Sequence, residues 1–280
     1  MKILVTGGGG QLGLALQRQG GAHDLVAFDR TSLDITDAVQ VARVFARERP
    51  EAVINCAAWT DVDACEGDPE KAMRINGTAV GTLAREAKNV GAHLVQISTD
   101  YVFDGTKKGP YVETDLPNPL SVYGKSKLLG EQLAGHDGLV VRTAWVMGPD
   151  GNNMLKTILR LLKEHEVLHF VDDQIGCPTF TDDLAIGILA LIAKKETGIS
   201  HLTNSGSVSW FQFAQEVSIA TENDPNRVLP VSTEQLEPSR PAPRPQNSVL
   251  GTCLTNQASA QPVLRPHHQP LADVINQLKN

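Results

Sequence analysis

The sequence predicts an α/β fold, a doubly wound parallel sheet with helices on both faces, followed by a smaller C-terminal domain. Three observations carry this. Short apolar runs alternate with helix-patterned segments through the first half, a run of glycines follows the first apolar run directly, and the regularity loosens after residue 143, with prolines accumulating from residue 225 onward. Strands that alternate with helices through short links run parallel and are joined by right-handed crossovers, which covers both sheet faces. In such a sheet, ligands sit beyond the carboxyl ends of the strands.

The elements follow in order. Lys2–Thr6 reads as a buried strand, Gly7 to Gly10 as a turn, and Gln11–Gln19 as a helix with Leu12, Leu14 and Leu16 on its apolar side. A strand at 25–28, a helix at 38–49 and a strand at Ala52–Asn55 repeat the pattern. A single helix is expected over 69–89, a strand at 93–98, a helix opening at Asn118-Pro119, and a strand at Leu139–Thr143. The division expected is residues 1–145 for the sheet and 146–280 mainly for a covering domain, with later segments returning to the sheet. Prolines gather in 225–245 and 262–270, and the stretch Pro238 to Pro245 reads as an ordered extended segment or a mobile loop.

Bulk properties exclude several classes. With 280 residues, 41% hydrophobic and 20% charged, the chain can bury a large core and belongs among ordinary globular proteins. A net charge of -7 offers no basic stripe for nucleic acid, so any phosphate must be captured locally. The opening MKILVTGGGG has too few apolar positions for a signal-peptide core, and no apolar run reaches membrane-spanning length, so a cytoplasmic location is expected. Cys56, Cys65, Cys177 and Cys253 lack the paired spacing of a zinc or redox site and read as reduced thiols.

The glycine turn Thr6-Gly7-Gly8-Gly9-Gly10-Gln11-Leu12-Gly13 places Gly7, Gly10 and Gly13 at spacings of three between a strand and a helix. Glycine lets the backbone approach a pyrophosphate, whose charge then meets free N–H groups and the positive helix end. A purely structural turn is the competing reading. Asp29, about twenty residues on, suits the adenosine ribose and favours NAD, whereas Arg30 suits the 2′-phosphate of NADP, so NADPH and NADH both stay open. Asp34 either caps the next turn or meets the adenine. Together these features mark a Rossmann-like nucleotide-binding domain.

Tyr123 and Lys127 lie four apart and share one helix face. A lysine ammonium beside a phenol is expected to lower its pKa from about 10, so that the tyrosine exchanges a proton while the lysine holds the nicotinamide ribose. Ser98 and Thr99 end the fourth strand, where a hydroxyl can hydrogen-bond a substrate carbonyl and stabilise developing alkoxide charge.

These motifs, with Asn55-Cys56-Ala57-Ala58-Trp59-Thr60, STDYVFDG at 98–105, Pro119-Leu120-Ser121-Val122-Tyr123-Gly124-Lys125-Ser126-Lys127, Arg142-Thr143-Ala144-Trp145-Val146 and 171–179, resemble the dTDP-4-dehydrorhamnose reductases almost end to end. These belong to the extended short-chain dehydrogenases. The resemblance implies reduction of dTDP-4-dehydro-β-L-rhamnose to dTDP-β-L-rhamnose. It implies a cofactor lined by Gly10, Gln11, Leu12, Asp34, Ile35, Ala57, Ala58 and Thr60, with Ser98, Tyr123 and Lys127 beside it. Thr99, Asp100, Phe103, Tyr123, Trp145, Asn153 and Gln174 would face the sugar. Trp145 would offer its ring an apolar face, or serve as plain core. Arg244, in Arg244-Pro245-Gln246-Asn247-Ser248, is the leading cation for the substrate diphosphate, ahead of Arg240, and a structural brace is its alternative role. Some relatives hold magnesium at a dimer contact through a glutamate on the first helix. Ala15 in the matching helix implies no metal and a monomer or weak homodimer, and Gly251 stands where an aspartate is common. Related ketosugar reductases or epimerases, and a non-catalytic regulatory subunit of methionine adenosyltransferase, resemble the same pattern.

Overall fold

The structure is a computed structural model that describes residues 1–236, 238–251 and 262–279. Cys253 lies outside the described residues. Its first half runs β1 (Lys2–Thr6), α1 (Gln11–Gln19), β2 (Asp24–Phe28), α2 (Ala38–Glu48), β3 (Ala52–Asn55), α3 (Val62–Gly67), α4 (Pro69–Met73), a π-helical turn (Arg74–Thr78), α5 (Ala79–Val90), β4 (His93–Thr99), α6 (Val122–Ala134) and β5 (Leu139–Thr143). The remainder runs β6 (Val146–Met147), α7 (Met154–Glu164), β7 (Leu168–Val171), β8 (Ile175–Gly176), β9 (Thr179–Phe180), α8 (Thr181–Ala193), β10 (Gly198–His201), β11 (Asn204–Ser205), β12 (Val208–Ser209), α9 (Trp210–Ala220), β13 (Val228–Val231), β14 (Leu264–Pro266) and α10 (His268–Lys279).

A six-stranded parallel sheet in the order β10-β5-β4-β3-β1-β2 organises the chain. Alternation along each strand sends side chains to opposite faces. Ile3, Val5, Ile54, Val95, Leu139 and Val141 face one core under α1 and α8, while Leu4, Val53, Leu94 and Val140 face the other under α2 and α5. Fully burying each such side chain contributes about 1.5–3 kcal/mol, so these continuous apolar strands fix the double-sided architecture. The chain leaves the sheet after β5 and returns to it through α8 and β10. Between and after these returns, α7, α9, α10 and β7 build a separate core around Met147, Leu155, Ile158, Phe180 and Phe213.

Two expectations need correction. The helix over 69–89 is interrupted by the π turn. There Asn76 turns inward, accepts from the Trp59 backbone N–H at 2.8 Å and donates to the Trp59 carbonyl and the Ser126 hydroxyl, each at 3.0 Å. Gly77 lets this turn close on Leu129, where a Cβ would stand 2.5 Å from the side chain. Helix α6 starts at Val122, capped by the Ser121 hydroxyl accepting from Gly124 N–H, and not at Asn118-Pro119. Asn118 is engaged elsewhere, donating to Asp104 at 2.9 Å and so closing the Asp104-Gly105 turn.

A buried charged group stands behind α6. Glu131 accepts from Ser98 Oγ at 2.5 Å and from Arg142 Nε and Nη2 at 2.9 and 2.7 Å. Arg142 in turn lies over the Phe103 ring and reaches His201.

Candidate active site

The glycine turn is shaped by contact rather than by freedom alone. Gly7 has φ +68, and a Cβ there would stand 2.6 Å from Ala57 N; a Cβ on Gly13 would stand 2.4 Å from Gly7 O. Gly10 caps α1 without any side-chain hydrogen bond to the first N–H groups of that helix; its own N–H donates to Gly7 O at 2.9 Å, and Gly9 and Gly10 are both exposed. A cradle that any side chain would fill, at the positive end of a helix, fits a pyrophosphate. Gln11 beside it donates to Asn152 O at 3.3 Å and accepts from Asn153 Nδ2 at 2.9 Å, which brings Asn153, the cap of α7, to the rim of the turn.

Other predicted cofactor residues fall into two groups. Asp29 and Arg30 are exposed at the end of β2, and Asp29 lies beside Gly9. Its carboxylate accepts from the N–H and hydroxyl groups of Thr31 and Ser32, which hold its pKa down to about 2. Asp34 accepts from the Thr36 N–H and hydroxyl, the capping alternative. Ala57, Ala58 and Thr60 follow β3 in the loop clamped by Asn76. Leu12 and Ile35 require correction: both side chains are buried in the two cores, so only their backbone can face a dinucleotide.

Thr99 ends β4 opposite Thr143 of β5, and the Tyr123 phenol on the first turn of α6 faces its hydroxyl. Thr99 Oγ1 donates to Asp100 Oδ1 at 2.9 Å. Lys127 Nζ donates to Ile97 O at 2.6 Å. The expected electrostatics therefore need correction. Burial pushes the Tyr123 phenol above its ordinary value, only partly offset by Thr99. Burial also pulls the Lys127 ammonium down to about 8, against the opposing pull of Glu131. For both groups burial is the largest influence, and it acts against the charged form of each. Ser98 is corrected too: its buried hydroxyl belongs to Glu131 and is not free for a cofactor.

On the opposite side, Asp100 is 2% exposed, its Oδ2 lacks a hydrogen-bond partner, and burial pushes its carboxyl up to about 6 although Ser248 and Thr99 face it. Phe103 is fully buried, stacked on Tyr111 at 4.2 Å, so it is core and does not line a sugar site. Gln174 is buried and donates to Thr233 Oγ1 at 2.9 Å. Trp145 is half-buried two residues beyond Thr143. Arg244 is engaged with Asp63 through Nη1 at 3.0 Å and Nη2 at 2.8 Å and lies against the Tyr101 hydroxyl. Arg240 pairs with the same carboxylate at 3.6 Å. Asp63, Tyr101, Asn76 and Glu131 escaped the sequence reading. Tyr101 carried a signal, since it stands within the 98–105 block; in the structure its ring meets Tyr123 edge-on at 5.9 Å.

Among known proteins, a crystal structure of a dTDP-4-dehydrorhamnose reductase from Clostridium acetobutylicum superposes with a TM-score of 0.94 at 42% identity, covering 100% of both chains. A dTDP-4-dehydrorhamnose reductase from Bacillus anthracis in complex with NADP gives 0.93 at 38% identity and 99% of both chains. A dTDP-4-keto-6-deoxy-D-glucose reductase of Streptomyces niveus is 38% identical over 266 residues, covering 93% of this chain and 92% of its own. Residues 1–280 match the family described as the RmlD substrate binding domain, and the chain belongs to that family.

Proposed function

We propose that this chain reduces the 4-keto group of dTDP-4-dehydro-β-L-rhamnose to dTDP-β-L-rhamnose, taking its hydride from NADPH or NADH. The observation that carries the reading is the convergence of Thr99, Tyr123 and Lys127 at the carboxyl ends of β4 and β5, in the sheet whose β1 leads into a glycine turn fitted to pyrophosphate. The NADP-bound relative supports the phosphorylated cofactor. In this reading the exposed Arg30 meets its 2′-phosphate and Asp29 the ribose. The nicotinamide supplies the hydride when bound. Tyr123, which burial keeps protonated, gives its proton to the 4-oxygen as hydride arrives at the carbon. The single hydroxyl hydrogen of Thr99, now given to Asp100, swings to the same oxygen and stabilises its growing charge. Lys127 keeps its ammonium next to Ile97 O, at the height of the strand where the ribose is expected. Trp145, Asp100, Asn153 and Gln174 bound the sugar, and Arg244 holds the diphosphate in exchange for part of its contact with Asp63.

The Streptomyces niveus relative favours one second reading, a reductase of a different 4-keto-6-deoxy sugar on the same nucleotide. A turnover screen of NADPH and NADH against several such nucleotide sugars separates them. The first reading expects the largest kcat/KM with the rhamnose precursor, and a preference for another ketosugar replaces it with the second. No oxidation of either cofactor with any of them removes both.

A further inference from the structure

Tyr123 is the second residue of α6, so its phenol is only as well placed as the first turn of that helix. The first N–H groups of a helix have no partner within it, and a first turn without outside acceptors frays. Two acceptors serve this one. The Ser121 hydroxyl takes the Gly124 N–H at 3.1 Å, which is the local cap. The Val122 N–H donates to Glu66 Oε1 at 2.8 Å, an acceptor that comes from 56 residues upstream, on α3. A half-buried carboxylate at the positive end of a 13-residue helix stabilises that end as well as accepting its bond.

The same turn is held by contact. A Cβ at Gly124 would stand 2.2 Å from Tyr101 O, so the helix is pressed onto the 98–105 block there. Val122 and Gly124, the residues on either side of Tyr123, are thus both fixed from outside α6. Helix α3 is itself fixed. Asp61 caps it by accepting from Ala64 N–H at 3.0 Å, and Asp63 accepts from Ala242 N–H at 3.1 Å and from Arg244. Cys65, next to Glu66, is fully buried, and its Sγ donates to Trp59 O at 3.8 Å, in the loop clamped by Asn76. Held in this way, α3 presents Glu66 to α6 in one place.

We propose that Glu66 is a positioning residue for the proton donor: by accepting the Val122 N–H it fixes the first turn of α6, and with it the Tyr123 phenol against Thr99. The inference rests on the reading of Tyr123 as proton donor given above. It concerns placement and not ionisation, so it governs the rate of the chemical step and not the binding of the cofactor.

The test measures the single-turnover rate of NADPH oxidation by stopped flow, at saturating ketosugar nucleotide, in three variants. Glu66→Gln keeps an acceptor oxygen at the same reach and loses the charge. Glu66→Asp keeps the charge and loses the reach, and Glu66→Ala loses both. A lost cap is a small part of a domain's stability, so each variant should fold, and NADPH titration counts the folded sites. Misplacing a reacting group by about 1 Å costs on the order of 100-fold in rate, and a frayed first turn costs part of that. The rate should fall about tenfold in Glu66→Ala and Glu66→Asp and return to within about twofold of wild type in Glu66→Gln. NADPH affinity should stay within about twofold throughout. In a Tyr123→Phe background, where no phenol proton is left to place, adding Glu66→Ala should change the rate by less than about twofold. A wild-type rate in Glu66→Ala, or a loss in Glu66→Gln equal to that in Glu66→Ala, overturns the positioning role. So does a further tenfold loss, or about that, when Glu66→Ala is added to Tyr123→Phe, which would mark the bond as plain support for the fold. An undiminished rate in Tyr123→Phe alone overturns the proton-donor reading, and the proposal with it.

Discussion

Replacing Asp100 by Asn should stabilise the protein relative to wild type as pH rises, while harming turnover. The carboxyl is 2% exposed, and burial raises its pKa from 3.8 to about 6. A folded-state pKa above the unfolded value means that the protonated acid contributes stability at low pH, and that this contribution is lost as pH rises through about 6. A shift of roughly two units corresponds to about 3 kcal/mol in total, of which about 1.5 kcal/mol falls between pH 5 and pH 8. The asparagine does not titrate, so its own cost, including an amide facing the unpartnered position of Oδ2, is a constant offset. Tyr101, Tyr123 and Cys177, the titratable groups that sense Asp100, all ionise above this window. Urea unfolding of both proteins from pH 5 to pH 8 should therefore show the variant gaining about 1.5 kcal/mol on wild type, with no further gain above pH 7. A difference that stays flat across the range refutes the buried, raised carboxyl. The ketosugar kcat/KM should fall in the same variant, since the charge lost is one the sugar is expected to meet.

Tyr123→Phe should lower kcat about 100- to 10,000-fold with NADPH affinity unchanged by fluorescence titration, and an undiminished kcat removes the proton donor. Lys127 loses its charge above about 8, so kcat/KM should decline through that pH in wild type and hold level in Lys127→Arg, whose guanidinium stays protonated; parallel profiles would place the decline elsewhere. Arg30→Ala should weaken NADPH more than NADH in equilibrium titrations, and equal losses would show that Arg30 does not read the 2′-phosphate. Arg244→Ala should raise KM for the nucleotide sugar about tenfold or more with little change in kcat, as losing a guanidinium–phosphate contact implies; a lowered melting temperature with unchanged KM would leave it as the brace that its pairing with Asp63 already makes it.

The sheet was legible because its causes are local. Continuous apolar runs ended by glycine or polar residues set the bounds of β1, β3 and β5, which match the sequence expectation. Contacts made across long stretches of chain were not legible. The pairing of Arg244 with Asp63 joins residues 181 apart, and nothing near either one announces the other. The stack of Trp210 on Trp145, with ring centroids 3.5 Å apart, is hidden in the same way. The start of α6 was misplaced because Asn118-Pro119 carries a sound local signal that Asp104 overrides through the Asn118 side chain. The ionisation of Tyr123 was misjudged because a spacing of four reveals which charge is near but not how dry the place is. That dryness comes from packing, and here it decides the sign.

The Glu131–Arg142 pair also constrains how this sequence can vary. Removing either member would strand the other as a buried, uncompensated charge at a cost of about 3–5 kcal/mol, a large fraction of a domain's whole stability. Replacing both with apolar residues of similar volume can be neutral. Single steps away from the pair are therefore blocked while the double step is open. Helix α6, which carries Tyr123 and Lys127, is held against β5 by an epistatic lock: a graft of the catalytic helix into another scaffold would have to bring the arginine of the neighbouring strand with it.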